Sequence, residues 1–143
     1  MELLPGLAIS ASGLTAERLR LDLIANNLAN INTTRTDRGG PYRRQVAVFA
    51  EKLDKALGRS KGPSAAAGRG VEVAAIVADN TPPRLVYDPA HPDAGDDGYV
   101  ALPNIDVVME MVDIIAATRA YEANVTVLNA AKAMSLKALE IGR

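Results

Sequence analysis

Helix-breaking residues are confined almost entirely to the middle of this 143-residue chain. Outside segment 39–103, proline and glycine occur only as Pro5, Gly6, Gly13 and Gly142. Because these residues interrupt α-helices, their segregation predicts a long helix at each end of the chain. Hydrophobic residues make up 48% of the chain but aromatic residues only 3%, so the apolar surface is mainly aliphatic, as helix seams require. The expected fold class is α+β, with long N- and C-terminal α-helices packing as a coiled-coil-like pair and a small β-rich middle unit.

This division predicts three segments. Residues 1–38 contain the N-terminal amphipathic helix, 39–103 form the middle unit, and 104–143 contain the long C-terminal helix. The two helices are expected to form one helical domain. Within the middle unit, residues 58–70 (GRSKGPSAAAGRG) are low in complexity and predict a flexible loop.

Apolar residues recur every seven positions in the N-terminal segment, which is typical of a seam for another helix. The expected helix runs over residues 7–32. Its seam residues are Leu7, Leu14, Leu21, Ile24, Leu28 and Ile31.

The C-terminal helix is expected to begin at an N-cap formed by Asn104 and to stop at Gly142. It carries two apolar rows, and one partner helix cannot cover both, so we expect the second row to meet neighbouring subunits. The residues of the first row are Met111, Ile114, Tyr121, Val125 and Leu128, and those of the second row are Ile105, Val108, Val112 and Ile115.

Four short β patterns lie in the middle unit, separated by proline and glycine turns. They predict one small antiparallel unit. The patterns cover residues 45–49, 71–77, 85–87 and 99–102.

Charge and composition exclude several function classes. Sixteen basic and 17 acidic residues give a net charge of -1, which provides no general attraction to nucleic acid or anionic lipid. The chain has no cysteine, so disulfides and thiolate chemistry are excluded. The start, MELLPG, lacks a basic region and its apolar stretch is interrupted, so a cleaved secretory signal is not expected.

Carboxylates and an imidazole cluster in the stretch VYDPAHPDAGDDGYV. Oxygen ligands with one imidazole are able to hold a divalent ion, but the Asp-Gly and proline steps favour an ordered turn over a metal site. The only histidine lies here, and no serine has a nucleophile-elbow context, so we expect no enzymatic activity and no cofactor. The cluster comprises Asp88, His91, Asp93, Asp96 and Asp97.

The motif GGPYRR at residues 39–44 lacks the glycine spacing of a P-loop and predicts a tight turn that feeds a strand, in preference to a phosphate cradle. For Arg43 and Arg44, intersubunit salt bridges are at least as well supported as contacts to nucleic acid.

Two interpretations stay open for an asparagine-rich stretch at the end of the first helix. It frays into the loop, or its amides bond across to the other helix, where Asn124 and Asn129 lie. The stretch comprises Asn26, Asn27, Asn30 and Asn32.

Several of these motifs resemble the bacterial flagellar rod and hook family of axial proteins. The stretches ANNLAN and RAYEAN are shared across that family, whereas GGPYRR and YDPAHPDAGDDGYV are similar to its proximal-rod members. The matching residues are Asn26, Asn27, Asn30, Gly39, Gly40, Pro41, Tyr42, Asp88, His91, Pro92, Asp93, Tyr99, Tyr121 and Asn124.

The resemblance implies a structural subunit of the proximal rod, assembling through its terminal helices into a tube that crosses the periplasm and transmits motor torque. It implies export by the flagellar type III apparatus. The implied partners are the B, F and G members of the rod, the basal-body protein FliE and copies of the chain itself, with no nucleic acid and no small-molecule substrate. Another axial protein of the same family or a generic coiled-coil adaptor are the alternatives.

Overall fold

Two long helices bracket four short strands. The computed structural model describes residues 3–52 and 69–141, and the side chains from residue 6 onward. This architecture confirms the expected α+β class. The helices are α1 (Leu3–Ala29) and α2 (Val107–Ile141), and the strands are β1 (Gln45–Glu51), β2 (Val71–Ala78), β3 (Arg84–Tyr87) and β4 (Tyr99–Leu102).

Helix α1 begins and ends earlier than the sequence pattern predicts. It starts at Leu3, because proline is tolerated in the first turn of a helix, where Pro5 lies. It ends at Ala29 instead of continuing to residue 32. The amide of Asn30 is shared between the carbonyls of Asn26 and Asn27, at 3.1 and 3.2 Å, and the chain then turns away.

The N-cap of α2 is Asp106, so the prediction of Asn104 is wrong. Oδ1 of Asp106 accepts the amide N–H of Val108 at 2.8 Å, and its carbonyl accepts the amide of Glu110 at 3.0 Å. Asn104 instead donates its side-chain amide to Oγ1 of Thr81 at 3.2 Å. The expected stop at Gly142 lies outside the described residues.

The strands are antiparallel, as predicted, and they form two separate two-stranded sheets, a division that the sequence pattern does not indicate. Strand β1 pairs with β2 from Gln45 opposite Ala78 to Glu51 opposite Val71, with an irregularity between Val48 and Phe49. Strand β3 pairs with β4 over four residues on each strand. Of the predicted loop 58–70, residues 58–68 lie outside the described residues.

Helix α1 holds the β1–β2 pair at both ends through polar side chains. Near one end, the Asn27 side chain bonds both backbone groups of Gln45, the first residue of β1. Near the other end, Oγ of Ser12 accepts the amide of Val71, the first residue of β2, at 3.0 Å. The fifteen helical steps from Ser12 to Asn27 span about 22 Å. Six strand steps span about 20 Å, so the strands match the length of helix between the two anchors.

Buried apolar side chains are few among the described residues, and three of the seven are alanines. The two helices make the most extensive contact between any two elements, and α1 also contacts β1 and β2. No helix within the described ranges is long and apolar enough to cross a membrane. The buried apolar residues are Ala16, Leu23, Ile24, Val100, Ile105, Ala117 and Ala131.

Candidate functional site

A buried polar cluster joins the end of α1, the start of β1 and the first turn of α2. We call it the polar junction, and it consists of Asn27, Tyr42, Arg44, Glu110 and Asp113. Asn27 and Glu110 are buried at its centre, whereas the side chains of Arg44 and Asp113 are 26% and 30% exposed. The two buried side chains must find partners in the protein, because water cannot reach them. The junction is therefore where the relative placement of these elements is decided.

The amide of Asn27 is fully satisfied. Its nitrogen donates to the carbonyl of Gln45 at 3.0 Å and to Oε2 of Glu110 at 3.2 Å. Its oxygen accepts the amide N–H of Gln45 at 2.9 Å and the hydroxyl of Tyr42 at 3.0 Å. An asparagine side chain has two donors and two acceptor sites, so this environment uses all four. Asn27 therefore acts as an extra pairing partner for the edge of β1.

Glu110 is inaccessible to solvent, with 0% of its surface exposed. Its Oε1 accepts a hydrogen bond from Nε of Arg44, whose Nη2 also donates to Oδ2 of Asp113 at 3.0 Å. Asp113 in turn accepts a hydrogen bond from Arg20 of α1 at 3.2 Å. Two arginines thus pair with two carboxylates, and the buried charge of Glu110 is compensated.

The junction shifts the titration of two of its members. Burial, followed by the charge of Glu110, raises the pKa of the Tyr42 hydroxyl. Burial acts to lower the pKa of Arg44, but the hydrogen bond and charge of Glu110, with Asp113 and Asp79, raise it above its ordinary value. Tyr42 is thus held protonated and Arg44 charged, which are the forms that the hydrogen bonds require.

The GGPYRR motif positions Tyr42 and Arg44 by a tight turn. Gly39 and Gly40 have φ angles of 81° and 76°, which glycine adopts without the steric cost that other residues pay. Two backbone hydrogen bonds close the turn. The amide of Gly39 donates to the carbonyl of Thr36 at 2.9 Å, and the amide of Thr36 donates to the carbonyl of Gly40 at 3.0 Å. The predicted turn that feeds a strand is confirmed.

A cavity of about 140 Å³ lies between this turn and residues 79–83. Arg43 in its wall donates to Oδ1 of Asn80 at 2.8 Å. The Asp79 carboxylate also lines it, and hydrogen bonds from Thr81 lower the pKa of Asp79. Both arginines of the lining are already bonded, Arg43 to Asn80 and Arg44 to Glu110 and Asp113, so the cavity does not favour a phosphate. Arg44 pairs within its own chain, which differs from the expected intersubunit bridge.

The acidic stretch around His91 forms successive turns. Oδ1 of Asp88 accepts the amide of Ala90 at 3.1 Å, and Nδ1 of His91 accepts the amide of Asp93 at 3.1 Å. The Asp93 carboxylate accepts the hydroxyl of Thr34 at 2.7 Å. Within the described ranges, no group of three histidine or acidic side chains is placed to hold a metal ion. These residues tie the turn before β4 to the segment after α1.

The side-chain amide that makes a hydrogen bond between the two helices is that of Asn27, and its partner is Glu110. The sequence pattern indicates Asn124 and Asn129 as the residues on the other helix. Asn30 bonds back to Asn26 within the end of α1, at 2.9 and 3.0 Å. Asn124 donates to the carbonyl of Ala120 in its own helix at 2.9 Å. Its side chain packs against Gly13, where an added Cβ would lie 3.2 Å from both amide atoms. Asn124 therefore marks a close approach of the two helices.

The leucine row of α1 does not form the centre of its contact with α2. Its members other than Ile24 are only half-buried, whereas Gly13, Arg20 and Asn27 each lie against a residue of α2. On α2, Met111 is 54% exposed, so the prediction that it lies in the seam between these two helices is wrong. The neighbouring residue Glu110 is the one that is buried there. The roles of the row residues in assembly stay predictions. The half-buried residues are Leu7, Leu14, Leu21, Leu28, Ile31, Ile114, Tyr121, Val125 and Leu128.

The first half of α2 exposes a continuous apolar row. Val108, Val112 and Ile115, spaced four and three residues apart, are 67%, 54% and 60% exposed. They lie on one face of the helix, because residues three and four apart are neighbours on its surface. Ile105 does not belong to this row, since it lies before the helix and is only 6% exposed. We call Val108, Val112 and Ile115 the outer row.

Sequence reasoning missed Glu110 and Arg44 as partners. A signal was present, because Glu110 is a lone acid inside the otherwise apolar run VVMEMV. A charge at an inward position of an apolar helix requires a buried partner. The identity of that partner depends on the fold.

Two family models match the ends of the chain. The flagella basal body rod protein family matches residues 7–35, and the C-terminal family of flagellar basal body rod FlgEFG proteins matches residues 96–141. These ranges include most of α1 and all of α2, and they contribute every member of the polar junction except Tyr42 and Arg44.

Curated relatives extend the similarity over the whole chain. The flagellar basal-body rod protein FlgC of Borreliella burgdorferi is 50% identical over 99% of this chain and 98% of its own length. The FlgC proteins of Bacillus subtilis and Salmonella typhimurium are 46% and 42% identical, covering 96% and 100% of both chains. Identity at this level and coverage makes the chain a structural rod subunit of the flagellar basal body. The chain therefore belongs to the FlgC family of flagellar basal-body rod proteins.

Proposed function

We propose that this rod subunit works entirely by packing, without enzymatic activity, and occupies the proximal rod where the rod crosses the periplasm. Its two helices act as one helical domain, and residues 39–103 form the middle unit that α1 and α2 carry. The outer row is the observation that supports this proposal most directly. Three large apolar side chains in line on one helix face are costly to leave in water, and burial against another subunit removes that cost.

The polar junction supports a mechanical role for the same helices. Glu110 and Asn27 are buried and fully hydrogen-bonded, so the helices and β1 move as one body rather than as separate rods. A subunit that transmits motor torque needs such a rigid link, because a load applied to one helix must reach the other. We propose that the junction supplies this stiffness and that the outer row supplies the contact.

The partners follow from the rod family. The chain assembles with other components of the basal-body rod, and we propose that these are the B, F and G members, FliE and further copies of the chain. It reaches them through the flagellar type III export apparatus. Cofactors, nucleic acid and small-molecule substrates have no part in this function.

Replacement of Val112 by aspartate tests the role of the outer row. The substitution places a charge at the centre of the row on a side chain that is already 54% exposed, so the isolated protein should keep its fold. In a strain that lacks the native gene, the Val112→Asp protein should be made and exported but be missing from purified basal bodies, and the cells should not swim.

Thr126→Asp is the matched control. Thr126 is exposed on the same helix, and its hydroxyl bonds only to the carbonyl of Glu122 one turn earlier, at 2.9 Å. This variant should assemble at the normal level. Normal incorporation of the Val112→Asp protein would remove the outer row from the assembly contact.

A further inference from the structure

The two helices pack antiparallel in a single register. Asn27 lies opposite Glu110, and Gly13 lies opposite Asn124. The residue numbers of both pairs add to 137, so one fixed offset relates the helices over this stretch. By the same offset, Leu3 lies opposite residue 134, and α2 continues for seven residues to Ile141. Those seven residues carry three exposed apolar side chains, Leu136, Leu139 and Ile141, at 53%, 70% and 84% exposure.

Shape alone does not select this register. The α2 positions that face α1 repeat at an interval of seven residues with small or short side chains, Ala117, Asn124 and Ala131. A slip of one heptad, about 10 Å, would place Gly13 opposite Ala117 with ample room. Helix pairs with regular repeats and small residues require a specific polar contact to exclude such alternatives.

Charge alone does not select it either. In the slipped arrangement Glu110 would face Arg20, so the buried acid would still meet an arginine of α1. Asn27 would lie opposite position 103, before the start of α2, so its amide N–H would lose the Glu110 acceptor, while its bonds to Gln45 would be kept. Of the two α1 side chains bonded to this part of α2, Arg20 would thus find a new carboxylate and Asn27 would lose its own; Arg44, which precedes β1, would also leave Glu110 and Asp113.

We propose that the hydrogen bond between Asn27 and Glu110 is the register key of the helix pair, and that it thereby sets how much of the apolar end of α2 extends beyond α1. Three bonds connect these parts in a ring. Asn27 bonds Gln45 and Glu110, and Arg44, the neighbour of Gln45 in the chain, also bonds Glu110. A slip of α2 along α1 carries Glu110 out of this ring and breaks its bonds to Asn27 and Arg44, whereas the small side chains along the interface tolerate the slip.

Disulfide trapping in the isolated full-length chain tests the proposal, since the native sequence contains no cysteine. Gly13→Cys with Asn124→Cys reports the native register, because a Cβ on Gly13 would lie 3.3 Å from Cγ of Asn124. Gly13→Cys with Ala117→Cys reports the slipped register. Each pair is oxidised with the junction intact and with Asn27→Leu, and the two rates of cross-linking are compared.

With the junction intact, the 13–124 pair should form at least about tenfold faster than the 13–117 pair, a ratio that corresponds to about 1.4 kcal/mol. In Asn27→Leu this preference should fall by about tenfold, while circular dichroism shows retained helix. Arg119→Leu, which removes an exposed ion pair on α2, should leave the preference unchanged. An unchanged preference in Asn27→Leu overturns the proposal.

If Asn27→Leu loses its helical signal, the same ratio is measured in Asn27→Ala, which leaves no side-chain hydrogen-bonding group at the site and favours the helix. A preserved preference in that variant also overturns the register key. Only the part of the proposal that concerns the exposed end of α2 in assembly rests on the proposed function. The disulfide experiment uses the isolated chain and does not depend on rod assembly. A failure of the outer-row experiment would therefore leave the trapping result intact.

Discussion

The side-chain amide of Asn27 donates a hydrogen bond to Oε2 of Glu110 at 3.2 Å, and these residues are only 1% and 0% exposed. They are separated by 83 positions in the chain. Such a bond between buried side chains is stronger than its counterpart at the surface, and the loss of either partner leaves the other with an unmet desolvation cost.

Glu110→Ala should lower the free energy of unfolding by about 3 kcal/mol, at the low end of the range for a broken buried ion pair, because Arg44 keeps some access to solvent. The substitution leaves Asn27 with an unused donor and Arg44 with Asp113 alone. Urea denaturation followed by circular dichroism measures the change. Glu122→Ala, which removes an exposed pair with Arg119, should cost at most about 0.5 kcal/mol. Equal losses in the two variants would contradict the assignment of Glu110.

Gly70→Ala should destabilise the protein by about 2 kcal/mol or more. Gly70 has a φ of 110°, and an added Cβ would lie 2.1 Å from Oγ of Ser12, so both backbone strain and a clash oppose the change. Gly6→Ala is the matched control, because nothing lies within 4 Å of its Cβ position and the residue is in α1. That control should be stabilising by about 0.5–1 kcal/mol. Thermal unfolding of both variants should therefore shift in opposite directions.

Stability should decline at alkaline pH through Tyr42. Its native pKa is raised above the model-compound value of 10.0, so the native state keeps a proton that the unfolded state releases. The contribution is complete below pH 10 and is lost as the pH rises from there through the native pKa. Urea unfolding between pH 8 and pH 11 measures the slope. Tyr42→Phe should be less stable at neutral pH by about 1 kcal/mol and should show a shallower alkaline decline; an equally steep decline would assign the effect to other groups.

Asp106→Ala should cost about 1 kcal/mol, because it removes the side chain that caps the first turn of α2. Asn104→Ala should cost less, since Asn104 makes only an exposed bond to Thr81. Urea unfolding of both variants ranks the two positions. A larger loss at Asn104 would place the effective cap two residues earlier than the structure does.

The positions of the helices and strands were largely predictable because they depend on local chemistry. Proline and glycine limit both helices, and the alternation of residues such as Val46 and Val48 marks β1, whichever partner it meets. The division of the four strands into two pairs was not predictable. A β pattern specifies that a strand has a neighbour, and the identity of the neighbour depends on distant segments.

The seam between the helices shows where periodicity misleads. The leucine row of α1 has a regular heptad spacing, yet Gly13, Arg20 and Asn27 occupy the face that meets α2. These three residues are also spaced seven apart, but because they are a glycine, an arginine and an asparagine, a search for apolar periodicity does not detect them. The identity of their partners depends on the folded structure, which brings them next to Asn124, Asp113 and Glu110.

The two anchors of the β1–β2 pair have a consequence for loads on the subunit. Asn27 holds the first residue of β1 and Ser12 holds the first residue of β2, at opposite ends of the pair. A pull along the axis of α1 would therefore drag the two strands past each other in opposite directions. The interstrand hydrogen bonds lie perpendicular to the strands, so this force would load all of them together in shear. They would not break one after another from one end. The β1–β2 pair, held by α1 at both of its ends, thus resists stretching of the helix.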